Sequence, residues 1–306
     1  MSEGINEEVD EVNKRLQLLT TTDSDFKFIL TDDDYKEVPA HKHKIASASP
    51  ELKNMIFGLD TKNDTPLNQL EVDGISYDAF MEIISYIYDD CFSFNKEYVY
   101  EVLTKSNYFG IVELEKLCIA AVTMSLDENN VCLAFAYFSS LFGYSYPDML
   151  KFCQKELEFY GIKALRTDAF LEIPLDVLRK IVLLDVIQCP EIDLFEQAIR
   201  WAENQCVKQS ISPRTENKRK MLKGVDRLFR FNTLTLSEFY ACIALDIDFY
   251  KLDEILTIQK EIIAGTSRLT KRLFGIDKGN FVLNKCLIDS NRMFNKPCDV
   301  NFLVNK

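Results

Sequence analysis

The chain has 306 residues, room for two domains, and 47% of them are apolar, ample for a packed core. Its 36 Lys and Arg face 48 Asp and Glu, a net charge of −12 that argues against a surface generally built for nucleic acid, since phosphate neutralisation needs clustered cations. With only His41 and His43 as histidines, a multi-histidine zinc site must use both, and a Cys–His or Ser–His catalytic pair must use one.

The opening MSEGINEEVD is acidic and polar, unlike a signal peptide. Val9, Val12, Leu16 and Leu19 then recur at helical spacing, which predicts a short amphipathic helix that docks on something. Phe26, Phe28 and Leu30 alternate and predict a strand; the acids Asp32, Asp33 and Asp34 follow as a solvated turn. Residues 37–41 read as extended chain. Residues 42–57 read as helix with a fresh start at Ser49-Pro50, and Gly58 as its stop. Leu70 and Val72 predict another strand. Helices are expected over 77–88, 96–107 and 112–124, with Asp89-Asp90 breaking the first and Gly110 separating the last two.

From Asp127 onward the pattern is helical for about 100 residues. Val131, Ala134, Phe135, Phe138, Leu141 and Phe142 form an apolar face, Pro147 opens a helix to Phe159, and Pro174 begins another. A helix is expected from Asp193 to Cys206, with Asp193 and Glu196 as an acidic capping box. Residues 208–215 read as loop, and 216–229 and 237–245 as helices. Past Gly265 short β-type runs appear at 281–283, 286–288 and 300–304.

Chemistry-bearing patterns are sparse. The nine cysteines, Cys91, Cys118, Cys132, Cys153, Cys189, Cys206, Cys242, Cys286 and Cys298, contain no C-x-x-C and sit mostly among apolar neighbours, as reduced core cysteines do. His41 and His43 could share a strand face, but no Cys or carboxylate pair completes a metal shell around them. Phosphate-loop, dinucleotide and nucleophile-elbow motifs do not occur. Lys208, Arg214, Lys218, Arg219, Lys220, Lys223, Arg227 and Arg230 form a local basic reversal, but no aromatics for base stacking interleave with them. The longest apolar run, 131–138, is far short of the ~20 residues of a membrane span. The expectation is a soluble intracellular protein, cytoplasmic or nuclear, with no catalytic residue, no cofactor, no metal, no membrane contact and no nucleic-acid partner.

The segments DSDFKFIL, VPAHKHKIASASPELKNMIFG, YDAFMEIISYIYDD and VLTKSNYFGIVELEKLC, in that order, resemble a BTB (POZ) domain, with Pro39-Ala40-His41-Lys42 as its most recognisable tetrad. Residues 126–265 resemble the helical BACK domain. The segments DLFEQAIRWAENQC and SPRTENKRKMLKGV are similar to the BTB–BACK proteins that carry a C-terminal PHR β-sandwich, and 269–272 and 298–304 resemble its linker and first strand.

The resemblance implies an α+β BTB domain (16–125) behind an N-terminal dimerisation helix (1–15), an all-α BACK domain (126–265), and an incomplete β-rich, PHR-like tail (266–306). It further implies a homodimer formed through Val9, Val12, Leu16 and Leu19, with Asp25 and Lys42 as a charged pair near the dimer centre. It implies a cullin-3 contact through Phe57, Leu67, Gln69, Tyr88 and Tyr108, in an adaptor that brings an unidentified protein substrate to a ubiquitin ligase. Cullin-binding members carry hydrophobic-x-Glu where this chain has Leu67-Asn68-Gln69. Loss of that charge-assisted contact is worth ~1–3 kcal/mol, a factor of ~5–150 in affinity. The alternative is a BTB scaffold, associated with chromatin or transcription, that binds no cullin.

Overall fold

The computed structural model describes residues 23–57, 67–140 and 146–264. They divide into two compact units, 23–125 and 126–264.

In the first unit, the alternation at 26, 28 and 30 becomes strand β1 (Phe26–Leu30), whose three large apolar side chains are buried. β2 (Lys36–Ala40) pairs with it antiparallel, Phe28 opposite Val38. The return path runs through α1 (Lys42–Ala48) and α2 (Pro50–Phe57) to β3 (Gln69–Val72), which lies parallel to β1. The sheet order is β2-β1-β3, so Pro39 sits on an edge strand, where a missing ladder donor is tolerated. Ser49 caps α2 as its sequence pattern predicts: its hydroxyl accepts the Leu52 N–H at 2.9 Å and donates to the Phe109 carbonyl.

Helices α3 (Tyr77–Asp89), α4 (Val99–Tyr108) and α5 (Val112–Ser125) complete this unit. Phe80 on α3 meets Phe28 edge-on at 5.0 Å, joining helix and sheet through one buried aromatic pair. Asp90 ends α3 in the left-handed conformation. α4 begins three residues later than its periodicity predicts. The Asn95 side chain accepts the Glu97 N–H at 2.9 Å, a local turn that competes with helix. The Asp32–Asp34 turn does more than solvate. Asp32 accepts the Gly74 N–H at 2.6 Å and Asp33 accepts the Tyr77 N–H at 2.9 Å, tying the β1–β2 turn to the start of α3.

The regular elements described in the second unit are all helical: α6 (Val131–Ser139), α7 (Pro147–Tyr160), the single turns α8 (Ile162–Leu165) and α9 (Asp168–Leu171), α10 (Leu175–Leu183), α11 (Glu191–Lys208), α12 (Thr215–Leu222), α13 (Leu236–Leu245) and α14 (Leu252–Ala264). Gly161, at φ +50°, lets the chain turn sharply between α7 and α8; a Cβ there would stand 2.1 Å from the Gln188 carbonyl oxygen. α11 is the spine. Phe195 lies within 5.1–5.5 Å of Phe229, Phe231 and Phe249, each edge-on, and Trp201 donates to the Ile173 carbonyl at 2.9 Å.

Two expectations change here, and two features were not foreseen. α11 starts at Glu191, behind Pro190, so Asp193 lies inside the first turn and faces Arg166 at 3.4 Å instead of capping. The capping box occurs at α13, where Thr235 and Glu238 bond each other's backbone N–H at 3.3 and 2.8 Å. The helix expected over 216–229 stops at Leu222, because Lys223 and Gly224 are both left-handed; two 3₁₀ turns, Val225–Arg227 and Phe231–Thr233, follow. α14 is a helix that the sequence reading did not include.

The chain's single tryptophan, Trp201, reports on this unit. Phe195→Ala is expected to lower its stability by about 3–5 kcal/mol. Urea unfolding followed by Trp201 fluorescence measures the effect, which should far exceed that of the surface change Glu216→Gln.

Candidate protein-interaction face

The candidate residues of the first unit lie at the ends of its elements. Asp25, just before β1, accepts the Lys42 backbone N–H at 2.8 Å, filling the capping position that the His41 side chain does not fill. The Lys42 ammonium turns instead to Asn68 Oδ1, at 3.0 Å. The expected charged pair therefore meets through the backbone. Asp25, Lys27, Glu37, Pro39, Asn68 and Gln69 line one shallow groove on the sheet. Lys27 and Glu37 pair across it at 2.5 Å, and Gln69 stands in register with Lys27. Gln69 is thus brought together with Asp25. Leu67, half-buried, leads into the same strand. Val9, Val12, Leu16 and Leu19 lie outside the described residues.

Tyr88 is half-buried near the end of α3. Its oxygen accepts the His41 backbone N–H at 2.9 Å and faces His41 Nδ1 at the same distance. Burial raises the Tyr88 phenol above its usual range, which keeps its hydroxyl protonated. The Lys44 ammonium lies over the Tyr88 ring, 5.9 Å from its centre. What Tyr88 offers a partner is therefore ring surface more than hydroxyl.

Phe57 and Tyr108, at the ends of α2 and α4, are each 59% exposed. Tyr108 is braced from behind. The buried Lys105 ammonium stands 5.3 Å from its ring centre and pairs with Asp73 at 3.1 Å. Val112, four residues on, adds a further exposed apolar side chain. His41 and Lys105 support two of the candidate residues, and neither role was visible in the sequence: His41 and Tyr88 are 47 residues apart.

Elsewhere the described groups are set for structure. Burial pushes the thiols of Cys132, Cys153 and Cys242 up to about 12, which disfavours the thiolate that a nucleophile or metal ligand needs. Among the described residues no group of three or more His, Cys, Asp or Glu side chains could hold a metal ion. The basic stretch is largely consumed inside the second unit. Lys208 pairs with Glu172, Lys218 with Glu203 at 3.1 Å and Asp246 at 2.6 Å, Arg219 with Asp226 and Glu254, Lys220 with Glu216 at 3.4 Å, and Arg230 with Asp185 at 2.6 Å. Lys218 and Arg230 are themselves buried. No helix among the described residues is long and apolar enough to cross a membrane.

The profile of the BTB/POZ domain family matches residues 16–126. That stretch is a BTB/POZ domain. Curated relatives extend the likeness. The chain is 27% identical to BTB/POZ domain-containing protein 6-A of Danio rerio over 223 residues, covering 73% of this chain and 40% of that protein. It is 29% identical to BTB/POZ domain-containing protein 6 of Xenopus tropicalis over 225 residues, 73% of this chain and 41% of the relative. With BTB/POZ domain-containing protein 3 of Homo sapiens the figures are 27% over 204 residues, 67% and 38%. The matched region thus spans about two fifths of these relatives. Among solved structures, the BTB domain of human Gigaxonin is 24% identical, covering 34% of this chain and 85% of that one, with a TM-score of 0.28. The zebrafish PATZ1 BTB domain is 18% identical, covering 41% and 96%, with a TM-score of 0.30. Domains of this family generally mediate protein–protein interactions, so the exposed side chains of this one are candidate contacts.

Two outcomes follow. Tyr88→Phe leaves the His41 N–H without its acceptor and should destabilise the BTB/POZ domain by about 1–2 kcal/mol in thermal unfolding. Because five of the eight basic side chains of this stretch pair with acids of their own unit, duplex DNA should bind no tighter than about 100 μM at physiological salt in a fluorescence-anisotropy titration.

Proposed function

We propose that this protein is a dimeric adaptor of a cullin-3 ubiquitin ligase, and that its BTB/POZ domain binds the cullin while the rest of the chain recruits substrate. The observation that carries the reading is a BTB/POZ domain that exposes Phe57 and Tyr108, with Lys105 holding Tyr108 in place. Exposed aromatics of this kind supply contact area at low entropic cost and are frequent hot spots of interfaces. We read the helical second unit as a BACK module and residues 266–306 as PHR-like, on the sequence resemblance given above.

On this reading the protein breaks and forms no bond itself. It raises the local concentration of a substrate lysine near the charged ubiquitin carrier, a gain in proximity. Two-fold pairing through residues 9–19 doubles the substrate arms and adds avidity. Phe57, Leu67, Gln69, Tyr88 and Tyr108 are the proposed cullin contacts, with Asp25 and Lys42 assigned to the dimer side. A second reading, a scaffold without a cullin, is favoured by one observation: Gln69 is neutral and exposed, and lines the same groove as Asp25.

Calorimetric titration against the N-terminal domain of cullin-3 separates the two. The adaptor reading expects binding at micromolar concentration or tighter. Phe57→Ala and Tyr108→Ala should each weaken it at least about tenfold, the size of an interface hot spot. Tyr88→Phe should change it less than threefold, because the lost hydroxyl serves His41. Absence of binding by well-folded protein at tens of micromolar would overturn the reading.

A further inference from the structure

Helix α14 differs from the other helices of its unit. Each of those buries at least one side chain, and α11 buries nine of its eighteen residues. α14 buries none of its thirteen. Its inner face, Ile255, Ile258 and Ile262, is only half-covered and lies on the Phe231–Thr233 turn. Leu252, Leu256 and Ile263 are 71%, 44% and 67% exposed. Partial coverage of three isoleucines is a small share of what a fully buried helix face gains.

The firmest attachment is at the first turn. The Glu254 carboxylate takes both terminal nitrogens of Arg219, one at 2.8 Å, and also accepts the Lys251 N–H at 2.9 Å. The Arg219 end is rigid: the guanidinium bonds Asp226 at 3.3 Å and the Phe249 carbonyl at 3.1 Å, and lies 5.6 Å from the centre of the Tyr250 ring. Tyr250 is itself fixed, donating to the Asp226 carbonyl at 2.7 Å. The last firmly held residue before the helix is therefore Tyr250, and beyond it the chief polar attachment is one carboxylate.

We propose that α14 is a strap that opens as one piece about Tyr250–Lys251, held shut by Glu254 on Arg219, and that opening uncovers the Phe231–Thr233 turn. Phe231 is 3% exposed and belongs to the aromatic cluster around Phe195, so the open form presents apolar surface that the closed form hides. The aromatic core need not unfold for this, because its ring contacts are made by residues up to Tyr250.

Hydrogen exchange of the full chain, read by mass spectrometry, tests the proposal. Peptides from 252–264 should exchange together at least a hundredfold faster than those from α11. Glu254→Gln should speed the strap by a further factor of about ten or more, the worth of a charge-assisted pair, and leave α11 unchanged. Arg219→Lys, which keeps the charge and loses the fork, should lie between. Equal protection of α14 and α11 in the unaltered protein would overturn the proposal. So would a Glu254→Gln effect that accelerates both helices equally, since the pair would then belong to the global fold.

Discussion

The first unit depends on how the chain leaves its sheet. Between Ala40 and Leu52 it passes from edge strand to helix and then to a second helix, and each change of course leaves backbone groups that no ladder or helix turn can bond. Distant side chains satisfy them. Asp25 takes the Lys42 N–H, Tyr88 takes the His41 N–H, and Ser49 joins Leu52 to the Phe109 carbonyl. These contacts reach β1, α3 and the end of α4 from one stretch of chain. The same ties determine what the surface shows, since the Tyr88 hydroxyl is turned inward while its ring remains partly open. Tyr108 is set by a parallel device, a buried lysine whose charge is balanced by Asp73.

The second unit inverts the usual use of charge. Its most basic stretch lies against its own acids, and Lys218 and Arg230 are buried with carboxylates beside them. Of these, Lys218–Asp246 is buried on both sides; such a pair adds little net stability over apolar packing, but removing one partner is costly. The aromatic cluster around Phe195 supplies the apolar weight, and the ion pairs fix how α12 and the segment after it lie on α11 and α14.

Local signals predicted local structure well. Alternation at 26, 28 and 30 made β1, Ser49-Pro50 started α2, and Pro147 opened α7, because each depends on neighbours in sequence. The failures share a cause. Asp193 resembled a cap because nothing nearby said that Pro190 begins the helix. The helix expected to run to Phe229 was broken by the left-handed pair Lys223-Gly224. α14 was not predicted, although Leu252, Ile255, Leu256, Ile258, Ile262 and Ile263 share one side of the helix; even so, it buries no side chain. For the interaction face, the BTB tetrad and the candidate aromatics were legible. The bracing by His41 and Lys105 was not, since those contacts join residues far apart or on facing turns. The basic stretch looked like a patch only because its acids, Glu172, Asp185, Asp246 and Glu254, lie elsewhere in the chain.

We propose that a paired BTB/POZ domain carries a cullin on each copy. Sedimentation equilibrium of the full chain mixed with the cullin-3 N-terminal domain tests it most directly. The account predicts one species containing two chains and two cullin domains, persisting at low micromolar concentration. A monomeric chain, or a dimer that sediments apart from the cullin domain, would contradict it.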